Sequence, residues 1–138
     1  MREEIYDYLH EYGFKAIEID RIENRNDNMF FTSIGEVRKN ITFLQEKGLE
    51  KEEIIKLVNY NPFMLTEKNN RLEALDKIYY EDLKLSNEEL KELIKNNGYA
   101  YIISPIEFNK ILDYFRNRNY SIEIIKKFIF DNPSDWQD

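Results

Sequence analysis

A chain of 138 residues carrying 20 Lys+Arg against 27 Asp+Glu, a formal net charge of −7, has room for one core or a short repeat array and is too acidic to be basic all over its surface. Nine Phe, ten Tyr and a hydrophobic content of 42% exclude a disordered chain, because that much apolar area offsets the entropy of ordering. The absence of cysteine excludes disulfides, zinc–thiolate sites and iron–sulfur clusters, and one histidine, His10, leaves no material for a His-based metal site or catalytic dyad.

The first segment, MREEIYDYLHEYGF, is acidic and amphipathic at helical spacing and unlike a signal or transit peptide. No stretch approaches the roughly 20 apolar residues of a membrane span, so a cytoplasmic protein without membrane contact is expected. Gly13 suits a left-handed turn after this first helix. Ser33-Ile-Gly-Glu36 then fits a capping box, and Gly48 marks a second turn before the helical EKEEIIKLVNY, which Asn61-Pro62 ends. Ser86-Asn87-Glu88-Glu89 is another capping box, opening LSNEELKELIKN. Ser104-Pro105 starts the next helix with proline at its first position. SIEIIKKFIF closes the series, with Asn132-Pro133 behind it. Only four glycines and three prolines punctuate the chain, too few for an all-β fold.

These elements repeat. Phe14, Leu49, Leu85 and Tyr120 are spaced by 35, 36 and 35 residues. Five residues before them stand Leu9, Leu44, Tyr80 and Phe115; six before, Tyr8, Phe43, Tyr79 and Tyr114. Five after come Ile19, Ile54, Leu90 and Ile125, and eight after, Ile22, Leu57, Leu93 and Phe128. Twelve after, every unit has asparagine: Asn26, Asn61, Asn97 and Asn132. Sixteen after come Phe30, Leu65, Tyr101 and Trp136. The apolar columns are the expected core. The expectation is a single all-α domain over 1–138, a short right-handed-type helical repeat array (solenoid). Its four units, about 1–33, 34–68, 69–104 and 105–138, each run helix A, turn, helix B and a brief third turn.

The segment from Ile41 to Leu65, ITFLQEKGLEKEEIIKLVNYNPFML, resembles the repeat of the mitochondrial transcription termination factor (mTERF) family. The FL pair, the glycine–leucine turn, the EEI opening of helix B and the proline followed by apolar residues carry the resemblance. LKLSNEELKELIKNNGYAYII and RNYSIEIIKKFIFDNPSDW follow the same course, so it covers about residues 34–138, with 1–33 a weaker first unit. The resemblance implies stacked helical triplets whose concave side holds nucleic acid through basic residues. This chain departs from that pattern in its charge, which by unit is −4, 0, −2 and −1, and in Gly98, Ser134 and Asp135 where the pattern has proline or apolar residues.

One column is basic: Arg21, Lys56 and Lys127, with Glu92 interrupting it and Lys91, Lys95 and Lys126 beside it. Cations recurring along helix B would form a track for phosphates, each contact releasing counterions. The same cations would otherwise be a solvated face with pairs such as Glu52–Lys56. The asparagine column reads as a C-cap of helix B in the left-handed conformation, or as amides aimed at bases. Tyr99 and Tyr101 could stack on bases. In the alternative, the acidic first unit (Glu3, Glu4, Asp7, Glu11, Glu18, Asp20) docks on a basic protein surface, such as a nucleic-acid enzyme inhibited by a mobile-element protein. No P-loop, dinucleotide fingerprint, HExxH or nucleophile elbow occurs, so neither enzyme activity, a cofactor nor a metal is expected.

Overall fold

The structure, a computed structural model, describes residues 1–131; over them it is helical and has no strand. Eight α-helices occur among these residues: α1 (Glu3–Tyr12), α2 (Ala16–Arg25), α3 (Ile34–Glu46), α4 (Lys51–Tyr60), α5 (Asn69–Lys77), α6 (Asn87–Asn96), α7 (Pro105–Arg116) and α8 (Ile122–Asp131). A 3-10 turn follows α2 (Asp27–Phe30) and another follows α4 (Pro62–Leu65), while a π-helical turn (Ile78–Asp82) continues α5. The chain forms two compact units, Met1–Glu67 and Lys68–Asp138. The sequence expectations for Asn132, Pro133 and Trp136 lie outside the described residues.

Helix starts follow local chemistry. Ser86 Oγ accepts the Glu89 N–H at 3.1 Å while Glu89 accepts the Ser86 N–H at 3.0 Å, a complete capping box. At Ser33 only half of the box forms: its Oγ accepts from Glu36 N–H, but the Glu36 carboxylate takes the Thr32 hydroxyl instead. Two boxes lack a hydroxyl yet keep the carboxylate half, since Glu18 accepts from Lys15 N–H and Glu53 from Glu50 N–H. Ser104 makes no side-chain cap, and Pro105 alone marks that start.

In the first unit the expected columns fill the core: Leu9, Leu44, Phe14, Leu49, Ile19, Ile54, Ile22, Leu57 and Leu65 are buried, together with Ile5, Met29, Val37 and Ile41. Phe30 departs from its column. It is 54% exposed where its equivalent Leu65 is buried, although both 3-10 turns begin thirteen residues after their anchors and both bury a methionine, Met29 or Met64. In the second unit Leu85, Leu90, Leu93, Ile125, Tyr101 and Phe108 are buried, and Phe128 lies half-buried with its ring centroid 4.8 Å from that of Phe115. Tyr120 and Tyr114, both placed in core columns by the sequence, are exposed; their rings pack edge-on against Phe115 from outside.

The third repeat contains a further correction. Phe14, Leu49 and Tyr120 donate their N–H groups to Leu9, Leu44 and Phe115, five residues back, but Leu85 donates to Tyr79, six residues back. The π turn, with Leu83 N–H bonded to Ile78 O, absorbs one extra residue, so Tyr79 rather than Tyr80 takes the buried position. Tyr79 is fully buried, its hydroxyl bonded to Ala100 O, and burial pushes its pKa well above the usual tyrosine value.

All four helix A to helix B turns hold a residue at positive φ immediately before the anchor. Gly13 (131°) and Gly48 (90°) meet the expectation; Lys84 (54°) and Asn119 (60°) do it without glycine.

Candidate nucleic-acid interface

Helix B carries the basic column in three of the four repeats, with Glu92 standing in it in the third. In the first unit α2 packs on α4, and Arg21 and Lys56 occupy equivalent positions, each seven residues after a buried anchor. Both are exposed, and among the described residues neither has an ion-pair partner, so the expected Glu52–Lys56 pair does not form. Two unneutralised cations on neighbouring helices are chemically suited to successive anionic groups.

The second unit differs. Lys91 is half-buried and Glu92 is exposed beside it, its carboxylate 3.6 Å from Lys95 Nζ. Lys126 has a side chain only 14% exposed and lies 3.0 Å from Glu89 Oε2. That ammonium, after the Ser86 N–H, holds the Glu89 carboxyl below the ordinary glutamate range. Lys127 is exposed on the other side of α8 and pairs with Asp131, whose hydrogen bond raises the lysine pKa. Three of the six proposed phosphate contacts are therefore already neutralised: Lys95–Glu92 and Lys127–Asp131 at helical i,i+3 and i,i+4 spacing, and Lys126–Glu89 by a reach between helices that spacing alone does not reveal.

The amides are not presented to a ligand. Asn26, Asn61 and Asn97 are buried and stand at the C-caps of α2, α4 and α6, but with φ between −135° and −138°. They are extended, not left-handed, because each also opens the following turn. Asn26 Oδ1 accepts from Asn28 N–H and Asn97 Oδ1 from Tyr99 N–H. Asn26 Nδ2 also donates to Pro62 O and Thr66 Oγ1, both at 3.0 Å, tying the first repeat to the second. Arg25 completes that tie by donating to the carbonyls of Asn59 and Tyr60, the last turn of α4, where a cation is favoured. Tyr101 is likewise unavailable for stacking: it is buried, its hydroxyl bonded to Asp76, and burial with that carboxylate drives its pKa far upward. Tyr99 is half-buried.

Of the acidic set, Glu3, Glu4, Asp7, Glu11 and Asp20 are exposed, with Glu4 3.9 Å from Arg2. Glu18 is committed internally, accepting from Lys15 N–H and from the Asn59 amide. His10 is exposed in the last turn of α1 and stacked on Tyr6, as its place near the helix end suggests.

The register passed over a set of cations held on rings. Arg38 lies over Tyr8 (5.2 Å to the centroid), Lys47 over Phe43 (4.8 Å), Lys51 over Tyr12 (5.3 Å) and Arg118 over Tyr114 (3.6 Å). The i,i+4 spacing of Phe43 with Lys47 and of Tyr114 with Arg118 was the available signal.

Among the described residues no helix is long and apolar enough to cross a membrane, and no group of three or more His, Cys, Asp or Glu side chains is placed to hold a metal ion. A comparison with curated proteins gives no match. The mTERF family model matches residues 2–134, taking in the first unit that the quoted motifs reach only weakly, and the chain belongs to the mTERF family.

Proposed function

We propose that this helical-repeat protein binds nucleic acid without catalysing a reaction on it, contacting phosphates through helix B, with Arg21 and Lys56 as the principal pair. Membership of the family supports the class of partner. The observation that carries the residues is that Arg21 and Lys56 are exposed, repeat-equivalent and unpaired in a unit whose acidic residues outnumber its basic ones. Lys91 supplies a third, half-buried contact. Lys95, Lys126 and Lys127 contribute less, because each must first leave a carboxylate. Excess negative charge opposes a polyanion everywhere else, so binding is modest and steeply salt-dependent.

Titration with a random-sequence duplex over a salt series tests this. About three phosphate contacts predict a log–log slope near −2.7, or on the order of 40-fold weaker binding from about 50 to 200 mM salt. Changing Arg21→Glu and Lys56→Glu together should flatten that slope by about two units with the helix signal unchanged. Unaltered affinity and slope in that variant would remove the assignment.

A further inference from the structure

Contacts between consecutive repeats run through fixed columns, and those columns show which way each repeat faces. In the first repeat Tyr8, six residues before the anchor, has Arg38 of the second over its ring at 5.2 Å. Glu18, four residues after the anchor, accepts from the Asn59 amide of the second repeat. Glu89 holds the same position in the third repeat and meets Lys126 of the fourth at 3.0 Å. These two columns therefore face the following repeat, while helix B turns Asn59 and Lys126 back toward the preceding one. In the fourth repeat the same columns hold Tyr114 and Ile124, 53% and 48% exposed. Glutamate stands in place of Ile124 in the other three, as Glu18, Glu53 and Glu89. The anchor Tyr120 is 45% exposed where Phe14, Leu49 and Leu85 are buried, and Ile122 is exposed beside it at the start of α8. The stacking face of the fourth repeat is thus apolar and exposed, where the end of a repeat series needs a polar surface to stay soluble.

We propose that this face pairs with the same face of a second copy of the chain, about a twofold axis. The first repeat offers no match for it. There the positions equivalent to Lys126 and Asn59 are Asp20 and Asn24, both exposed, in a repeat of net charge −4. Setting Ile124 against them would bury an acid on an apolar surface. The face does match itself. Ile124 and Tyr114 meet apolar side chains of the second copy, as the buried columns do between repeats. Glu123 and Lys127 are exposed one turn apart on α8, so two α8 helices crossing antiparallel bring opposite charges together at both ends of the contact. Lys127 leaves Asp131 to do so, which costs little because that pair is exposed. Like-with-like contact also closes at two copies, whereas stacking the fourth repeat on another chain's first would run on as a filament.

Sedimentation velocity of the full chain, from low micromolar to several hundred micromolar and without nucleic acid, tests this apart from the helix B reading. A concentration-dependent shift from the 16.8 kDa chain to twice that mass is expected. Ile124→Glu is the decisive variant. Ser121 Oγ already accepts the N–H of Ile124 at 3.3 Å, so a glutamate there completes the capping box and α8 keeps its helix. Two acids would then face each other across the axis, and the midpoint of association should rise about tenfold or more. Because the chain has no cysteine, Ile124→Cys reports which face is used. Under mild oxidation it should give a disulfide-linked dimer, and Gln45→Cys, also exposed but on α3, should not. A parent that stays monomeric throughout overturns the proposal. Undiminished association of Ile124→Glu, equal crosslinking of both cysteine variants, or growth past the dimer overturns it as well.

Discussion

Leu85 donates its backbone N–H to Tyr79 O across six residues, where Phe14, Leu49 and Tyr120 reach across five. One residue more than the repeat requires is stored in the π turn between them. Glu81 is exposed within that turn. Its deletion should restore the common spacing and leave cooperative unfolding and the far-ultraviolet helix signal intact. Deleting the equally exposed Gln45 from α3, where the spacing is already regular, should abolish cooperative unfolding by pulling Leu44 out of the core. Equal tolerance of both deletions in circular-dichroism melts would contradict this account of the register.

Lys84 sits at a φ of 54° where the first two repeats use glycine. A side chain pays roughly 1–2 kcal/mol for that region, and glycine has none to strain. Lys84→Gly is therefore expected to stabilise the protein by about 0.5–1 kcal/mol, after the extra chain entropy of glycine is set against the relief. Gly13→Ala should do the reverse and cost more, because its φ is 131° and the new methyl would also stand 3.1 Å from Ile55 Cδ1. Denaturant midpoints of the two variants check the signs.

The periodicity of the core was legible because burial in paired helices imposes it on the sequence: Leu9, Leu44, Ile54 and Leu90 stand where their columns put them. The extra residue before Leu85 was not, since Tyr79 and Tyr80 are both aromatic and either satisfies an apolar column. Phe30 and Tyr120 misled for a related reason: an aromatic residue keeps its hydrophobic label at an edge where the fold leaves it exposed. At the candidate interface, spacing located Arg21 and Lys56 but could not show that Lys126 reaches across to Glu89 while Lys56 reaches no acid. The Lys126 pair depends on the neighbouring repeat, whereas the Lys95–Glu92 and Lys127–Asp131 pairs lie within single helices.

Asn26 joins the first repeat to the second through two bonds from one amide nitrogen, a buried one to Pro62 O and a part-buried one to Thr66 Oγ1. Asn26→Ala leaves Pro62 O without that donor and should cost about 1–3 kcal/mol, the range for stranding buried polar groups. Asn26→Asp should be worse, because it removes the donor and buries a carboxylate against a carbonyl oxygen. Thr66→Val removes one partner only. A double-mutant cycle of Asn26→Ala with Thr66→Val should give a coupling of about 0.5–1.5 kcal/mol; additive costs would mean that the hydroxyl contributes nothing to the tie.

Glu89 links two stabilising contacts, the Ser86 N–H at the start of α6 and the Lys126 ammonium from α8. The backbone bond first and the lysine second lower its pKa from the ordinary glutamate value. A carboxyl depressed in the folded state stabilises the fold above its unfolded pKa, about 4.3, and loses that contribution as pH falls through the folded value. Glutamine keeps an acceptor for Ser86 but has no charge for Lys126. Glu89→Gln should thus cost a few tenths to about 1 kcal/mol at neutral pH, small because the glutamate side chain is 40% exposed and screened by solvent. As pH falls below the unfolded pKa and through the lower folded one, the difference between variant and parent should shrink, since the parent carboxyl becomes protonated over that range. Urea midpoints measured from neutral to acid pH follow both curves. A gap that stays constant across that range would show that the glutamate acts by shape alone and that its charge, and the Lys126 pair with it, adds nothing to stability.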